Sequence, residues 1–151
     1  MFRGVSTLAL DAKGRLTMPT RYRDKLAQLS QGQLVITIDR DRCLLIYPLP
    51  WWEEVEQKLM ALPSTNPVAR SLQRLLLGHA EDCEVDAQGR VLLPSSLREY
   101  ANLDRRVVLM GQGKRFELWD ELRWQQQREV WLTTWEEGEG ALPTELQTLS
   151  F

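Results

Sequence analysis

The chain has 151 residues, 43% of them hydrophobic and 26% charged, a balance that suits one globular domain or two small ones. No apolar run approaches the roughly 20 residues that span a bilayer. The opening stretch MFRGVSTLALDAKGR holds no continuous apolar segment and no small-residue cleavage site, so neither membrane span nor signal peptide is expected and the chain is placed in the cytoplasm. Net charge is −2, which argues against a protein that coats nucleic acid along its whole surface. The charge is uneven, however: residues 1–75 carry 11 Lys and Arg against 7 Asp and Glu, whereas residues 76–151 carry 8 against 14. A site-specific binder can confine its positive charge to one edge in this way.

In chain order, Leu8, Leu10, Leu16 and Met18 alternate with polar or small residues, the pattern of half-buried strands. The tetrapeptide DAKG separates the two runs. Gly14 suits the left-handed position that ends a tight turn, and Asp11 can accept N–H bonds within it. Pro19 stops the second strand and opens a short helix, TRYRDKLAQL. LVITID and CLLIYPL are aliphatic runs bounded by charge and proline, and they predict two further strands. Residues 51–76 read as helical, with Val55, Leu59 and Leu62 on one apolar stripe, Val68, Leu72, Leu75 and Leu76 on another, and PSTNP breaking the segment.

The same order then recurs. LALDAKGRLTMPTRYR at 8–23 matches CEVDAQGRVLLPSSLR at 83–98, with Asp11/Asp86, Ala12/Ala87, Gly14/Gly89, Arg15/Arg90, Pro19/Pro94 and Arg23/Arg98 identical at an offset of 75. Leu34-Val35-Ile36 corresponds to Val107-Val108-Leu109, Leu44 to Tyr47 corresponds to Phe116 to Trp119, and Trp52 to Trp124. The expected organisation is a first module at 1–50, a helical connector at 51–76, a second module at 77–124, and an acidic, partly helical or mobile tail at 125–151. Four short strands and one helix lie near the lower limit for independent folding. Each copy is therefore expected to complete its core with the other, as a pseudo-twofold pair of interlocked hairpins.

Catalytic chemistry finds no footing. His79 is the one histidine, Cys43 and Cys83 stand far apart outside any CxxC pair, and HExxH, GxSxG, GxxxxGK[ST] and GxGxxG are absent. No enzyme, cofactor, metal or small-molecule ligand is expected, and the two thiols read as reduced core residues. The DxxxGR-type turn carries the strongest signal. Asp11 and Asp86 are explained by turn geometry alone, with Arg15 and Arg90 within reach as bridging partners. Arg15 stands beside a turn tip with Lys13 and, in sequence, Arg3 close to it, and an arginine fork can bond guanine O6 and N7 together. Lys13 offers a point charge to a phosphate. The second copy is weaker, since Gln88 replaces Lys13 and Glu81, Asp82 and Glu84 precede the turn. Arg21 and Arg23 read as a solvated helix face or as partners of Asp24. The six tryptophans, placed where helices dock, read as core or subunit packing rather than as base-stacking platforms.

The segments MFRG, LDAKGRLTMPTRYRDKL, LLIYPLPWWEEVEQKL, NPVARSLQRLLLGHA, VDAQGRVLLPSSLREYA and GKRFELWDE together resemble the MraZ family, over residues 1 to about 125. The two halves are similar to the wider AbrB-like group. The resemblance implies a β-rich α+β fold of two tandem AbrB-like swapped-hairpin (double-ψ-like) modules with pseudo-twofold symmetry and connecting helices. It also implies a nucleoid-associated repressor of the division and cell-wall gene cluster, its own gene included. Such a protein binds G-rich direct repeats in promoter double-stranded DNA as a ring of several subunits. Carried across by position, the DNA contacts fall on Arg15, Lys13, Arg3 and Arg90. Two other readings stay open from the residues: a module that neutralises a protein partner, and a purely structural ring-former.

Overall fold

The computed structural model describes residues 1–138 and Pro143. Its contacts divide the chain into a unit over residues 1–121 and a second from residue 122 onward. The first unit contains β1 (Phe2–Ala9), β2 (Arg15–Thr17), α1 (Thr20–Ser30), β3 (Gln33–Ile38), β4 (Leu44–Pro48), α2 (Leu49–Met60), α3 (Pro67–Leu72), β5 (Glu81–Glu84), β6 (Arg90–Leu92), α4 (Ser95–Tyr100), β7 (Arg106–Gly113) and β8 (Phe116–Asp120). α5 (Glu121–Glu137) follows.

Six strands form one antiparallel sheet in the order β1, β7, β8, β4, β3, β5, and β2 pairs with β6 as a separate two-stranded ribbon. The strands β3 and β4, most of β8, and Val107–Leu109 of β7 are buried on both faces. That is why LVITI and LLIY read as continuous apolar runs rather than alternating ones. One face packs against β2, β6, α1 and α4 around Leu16, Met18, Leu26, Val91, Leu93, Leu97 and Phe116. The other packs Val35, Leu45 and Tyr47 against Trp52 and Leu59 of α2.

The two copies exchange strands. β1 of the first pairs with β7 of the second, and β5 of the second pairs with β3 of the first. The registers are symmetric about two points, Leu16↔Val91 in the ribbon and Leu45↔Glu117 in the sheet. The pseudo-twofold axis runs through both. The sequence leads one to expect β1 and β2 as paired arms of one hairpin. Instead the turn closes with two backbone bonds, Gly14 N–H to Asp11 O (2.9 Å) and Asp11 N–H to Arg15 O (3.1 Å), and the arms then part to opposite-copy partners. Parting lets a three-residue strand, too short to stand by itself, bury Leu16 against Val91.

The connector departs from its expected stripe in one respect. Val55, Leu59 and Leu62 pack on the sheet as the spacing predicts. Beyond α3, which Asn66 caps through its side chain, the backbone widens to a π-helical turn at Gln73–Leu77. The extra residue in that turn rotates Leu76 and Leu77 onto the sheet, where the Leu76 carbonyl accepts from Thr37 Oγ1 (2.7 Å). Val68, Leu72 and Leu75 are left exposed together with Met60. α5 carries Leu122, Val130 and Trp135 exposed to solvent. The part of the expected acidic tail beyond Gly138, with Glu139 and Glu145, lies outside the described residues.

Leu16 has no exposed surface and sits on the axis shared by both copies. Leu16→Ala is expected to cost about 2–5 kcal/mol. Because the copies interlock, a denaturant titration followed by tryptophan fluorescence and by far-UV circular dichroism should still show one coincident transition. Two resolved transitions would mean that the copies fold independently.

Candidate nucleic-acid interface

Both DxxxR turns are built alike. The Asp11 carboxylate accepts from the backbone N–H of Lys13 and of Arg15, each at 2.9 Å, and Asp86 accepts from Gln88 and Arg90 at the same distances. Gly14 and Gly89 lie at φ +80° and +79°. The space a Cβ would need there is filled by a guanidinium from the opposite copy: Arg98 under Gly14 and Arg23 under Gly89. Those arginines are anchored in turn, Arg23 Nε to the Met18 carbonyl (2.8 Å) and Arg98 Nε to the Leu93 carbonyl (3.2 Å). Arg23 is thus a buttress of the second turn rather than a solvated helix residue. Its identity with Arg98 in the repeat was the available signal.

The ribbon sets the geometry of the face above these turns. Leu16 and Val91 point inward with no exposure, so Arg15, Thr17, Arg90 and Leu92, all of opposite parity, point outward together. Arg15 lies opposite Leu92 and Arg90 opposite Thr17, which puts the two arginines on a diagonal with backbones about 7–8 Å apart.

The two arginines are held differently. Arg15 Nε binds Asp11 Oδ2 at 2.5 Å, and its two terminal nitrogens make no hydrogen bond among the described residues. The carboxylate therefore holds the guanidinium by one edge, with the Arg15 side chain 26% exposed. Arg90 stands 3.7 Å from Asp86 and donates instead to Gln88 Oε1 (3.3 Å), while its Nε has no hydrogen-bond partner. Lys13 is exposed at the tip beside Arg15.

Arg3 is placed elsewhere. It lies at the far end of β1, opposite Gln112, about 20 Å of extended strand before Ala9. Its neighbours are on α1. Tyr22 Oη donates to the Arg3 carbonyl, Arg21 donates to Ser6 Oγ (2.6 Å), and Lys25 donates to the Met1 carbonyl (3.0 Å). Arg15, Lys13 and Arg90 thus form one group, and Arg3 joins Arg21 and Lys25 in a second. Nearness in sequence did not distinguish these groups, because β1 runs away from the turn.

No group of three potential metal ligands occurs among the described residues, and no described helix is long and apolar enough to cross a membrane. Cys43 and Cys83 are free thiols. Burial pushes the Cys43 thiol far up and the Cys83 thiol up to about 11, so neither is a thiolate at neutral pH. His79 is exposed, its Nδ1 at 2.9 Å from the Leu75 carbonyl.

The Arg15 backbone N–H is the main cause that holds the Asp11 carboxyl below its ordinary range, with the Arg15 side chain and Lys13 N–H adding to it. Asp86 is depressed likewise, chiefly by the Arg90 N–H. A carboxylate depressed in the folded state stabilises the turn above its unfolded pKa and loses that contribution as pH falls through the folded value. Both turns should hold their shape at neutral pH and loosen only in acid below the usual carboxylate range. Arg15→Ala should leave Asp11 depressed, because the backbone bond survives. Carboxyl-carbon NMR titration of the variant checks this, and an ordinary Asp11 pKa would refute it.

A family model described as "MraZ protein, putative antitoxin-like" matches residues 1–75 and again residues 76–132. A relative from Thioalkalivibrio sulfidiphilus named transcriptional regulator MraZ is 58% identical over 151 residues, 99% of each chain. Proteins of the same name from Halorhodospira halophila and Methylococcus capsulatus are 56% identical over 99% of each chain and 54% identical over 87% of each chain.

Proposed function

Because this chain belongs to the MraZ family, we propose that it is a sequence-specific DNA-binding transcriptional regulator that reads double-stranded DNA with the β2–β6 ribbon. The observation that carries this reading is the outward face of that ribbon, where Arg15 and Arg90 stand on one diagonal above turns clamped by Asp11 and Asp86. A two-stranded ribbon fits the major groove of B-DNA. The free fork of Arg15 is the group to bond guanine O6 and N7, and Lys13 is placed for an adjacent phosphate. Arg90 assists from a less positive second turn. Arg3, with Arg21 and Lys25, serves phosphates further along the duplex.

The regulatory role follows as repression of the division and cell-wall gene cluster, including the protein's own gene, from G-rich direct repeats in its promoter. The protein acts in the cytoplasm at the nucleoid, without a cofactor. One ribbon spans few base pairs, so a single subunit should bind weakly. A ring of subunits presents the same ribbon to repeated sites, and linked weak contacts gain about 10²–10⁴ in affinity. Exposed Met60, Val68, Leu72 and Leu75 on the connector offer apolar surface for such assembly. Within each subunit the modules 1–50 and 77–124, joined by the connector 51–76, act as one reading unit.

Arg15→Ala is expected to abolish binding to the DNA upstream of the protein's own gene while leaving fold and assembly unchanged. Mobility shift, circular dichroism and light scattering read the three properties. A folded variant with wild-type affinity would remove Arg15 from the site, and a wild-type monomer at micromolar concentration would remove the ring.

Avidity makes a separate demand on salt dependence. Each tip sets about two or three cations near phosphates, for a slope of log K against log[salt] near about −2 to −3 per tip. Binding to DNA with one, two or three repeats across a salt series should steepen with repeat number. Equal affinity and slope for one repeat and three would show that the tips act singly.

A further inference from the structure

The outward face of the ribbon is symmetric in its arginines and asymmetric in the residues that stand opposite them. Under the pseudo-twofold, Arg15 exchanges with Arg90 and Thr17 with Leu92. Thr17 accordingly lies across the ribbon from Arg90, while Leu92 lies across from Arg15. Leu92 is 58% exposed in the midst of an otherwise polar face, and its inward neighbours Val91 and Leu93 are buried. It does no work in the core.

We propose that Leu92 is a specificity-determining residue that packs on the C5-methyl group of a thymine next to the guanine held by Arg15. The inference rests on the ribbon reading above and deepens it. Directly opposed residues of an antiparallel pair have Cβ atoms about 4.5–5.5 Å apart. Successive base pairs rise about 3.4 Å along the duplex. A side chain opposite Arg15 therefore meets the base step beside the one that Arg15 reads. The thymine methyl is the apolar group that the major groove displays, and apolar side chains are its partners. Leucine has no hydrogen-bonding atom with which to replace water on a base edge or phosphate, so a methyl is what it can recognise there. Thr17, which has both a methyl and a hydroxyl, tolerates a wider choice beside Arg90. The ribbon then has a polarity: the half with Arg15 and Leu92 discriminates, the half with Arg90 and Thr17 follows. A single orientation on non-palindromic direct repeats needs such a difference.

The test uses the full-length protein and DNA from upstream of its own gene, with each thymine of one repeat replaced singly by deoxyuridine, which lacks only the methyl. One position should weaken wild-type binding by about four-fold, the factor one buried methyl group is worth. Leu92→Ala should lose a similar factor on unmodified DNA and become indifferent to deoxyuridine at that position, while Thr17→Ala keeps the sensitivity. If no deoxyuridine matters, or if Leu92→Ala retains the full penalty, Leu92 does not read a methyl, although Arg15-dependent binding stands. If light scattering shows that Leu92→Ala changes the assembly, the side chain belongs to a subunit contact and the proposal fails. If wild type does not bind this DNA, or binds it equally well as Arg15→Ala, the ribbon reading fails and takes this inference with it.

Discussion

The contact between Leu16 and Val91 on the pseudo-twofold axis is the constraint on which the rest of the first unit depends. Each belongs to a strand of three residues, too short to persist without a partner. Each strand finds that partner in the opposite copy, and the pairing seats Leu16, Met18, Val91 and Leu93 in one shared core. Exchange of β1 and β5 into the opposite copy's half of the sheet completes the enclosure. A single module could not do this, since its first strand would leave for a neighbour that is not there. Doubling within one chain makes the neighbour permanent and removes the entropy of bringing two chains together.

The same interlocking makes the candidate site rigid. A turn on a lone hairpin would swing with its loop. Here each turn has an aspartate inside it, an opposite-copy arginine beneath its glycine, and a buried ribbon at its base. The guanidinium of Arg15 is oriented through Asp11, which restricts its rotamer freedom. Asp11 engages Arg15 through Nε alone, whereas Arg90 stands off Asp86 and donates a terminal nitrogen to Gln88.

Divergence between the copies follows where symmetry is not required. The turn aspartates, glycines and buttress arginines are the same in both because each copy's turn needs the other copy's buttress. Elsewhere the two separate: Lys13 against Gln88, Thr17 against Leu92, and on the axis itself Leu45 against Glu117. Glu117 is a buried carboxylate that burial pushes upward in pKa, against the opposing effect of the Trp119 indole N–H and Arg115. The sheet edges also differ. β5 exposes Glu81, Asp82 and Glu84, charges that discourage edge pairing, whereas the outer strand β1 carries Arg3. Arg3, Lys13, Arg15, Arg21, Arg23 and Lys25 against Asp11 and Asp24 make the first 25 residues locally basic within a chain of net charge −2.

Much was legible in the sequence because it depended on local chemistry. The repeat is read from identities at a constant offset of 75, and the Asp-clamped turns with their left-handed glycines, the helices after Pro19 and Pro94, the aliphatic strands and the break at PSTNP follow from residues within a few positions of one another. What tertiary structure alone decided is where those pieces went. That the copies interlock is expected from the sequence; which strand pairs with which, the parting of β1 from β2, the seating of Arg23 and Arg98 beneath the opposite turns, and the removal of Arg3 to a group with Arg21 and Lys25 each join residues far apart in the chain. So does the common face of Arg15, Thr17, Arg90 and Leu92, whose members come from turns 75 residues apart. The period of a strand says which residues share its face, but not which strand will lie beside it. That choice is made by the burial of Leu16 on Val91, and no local pattern records it.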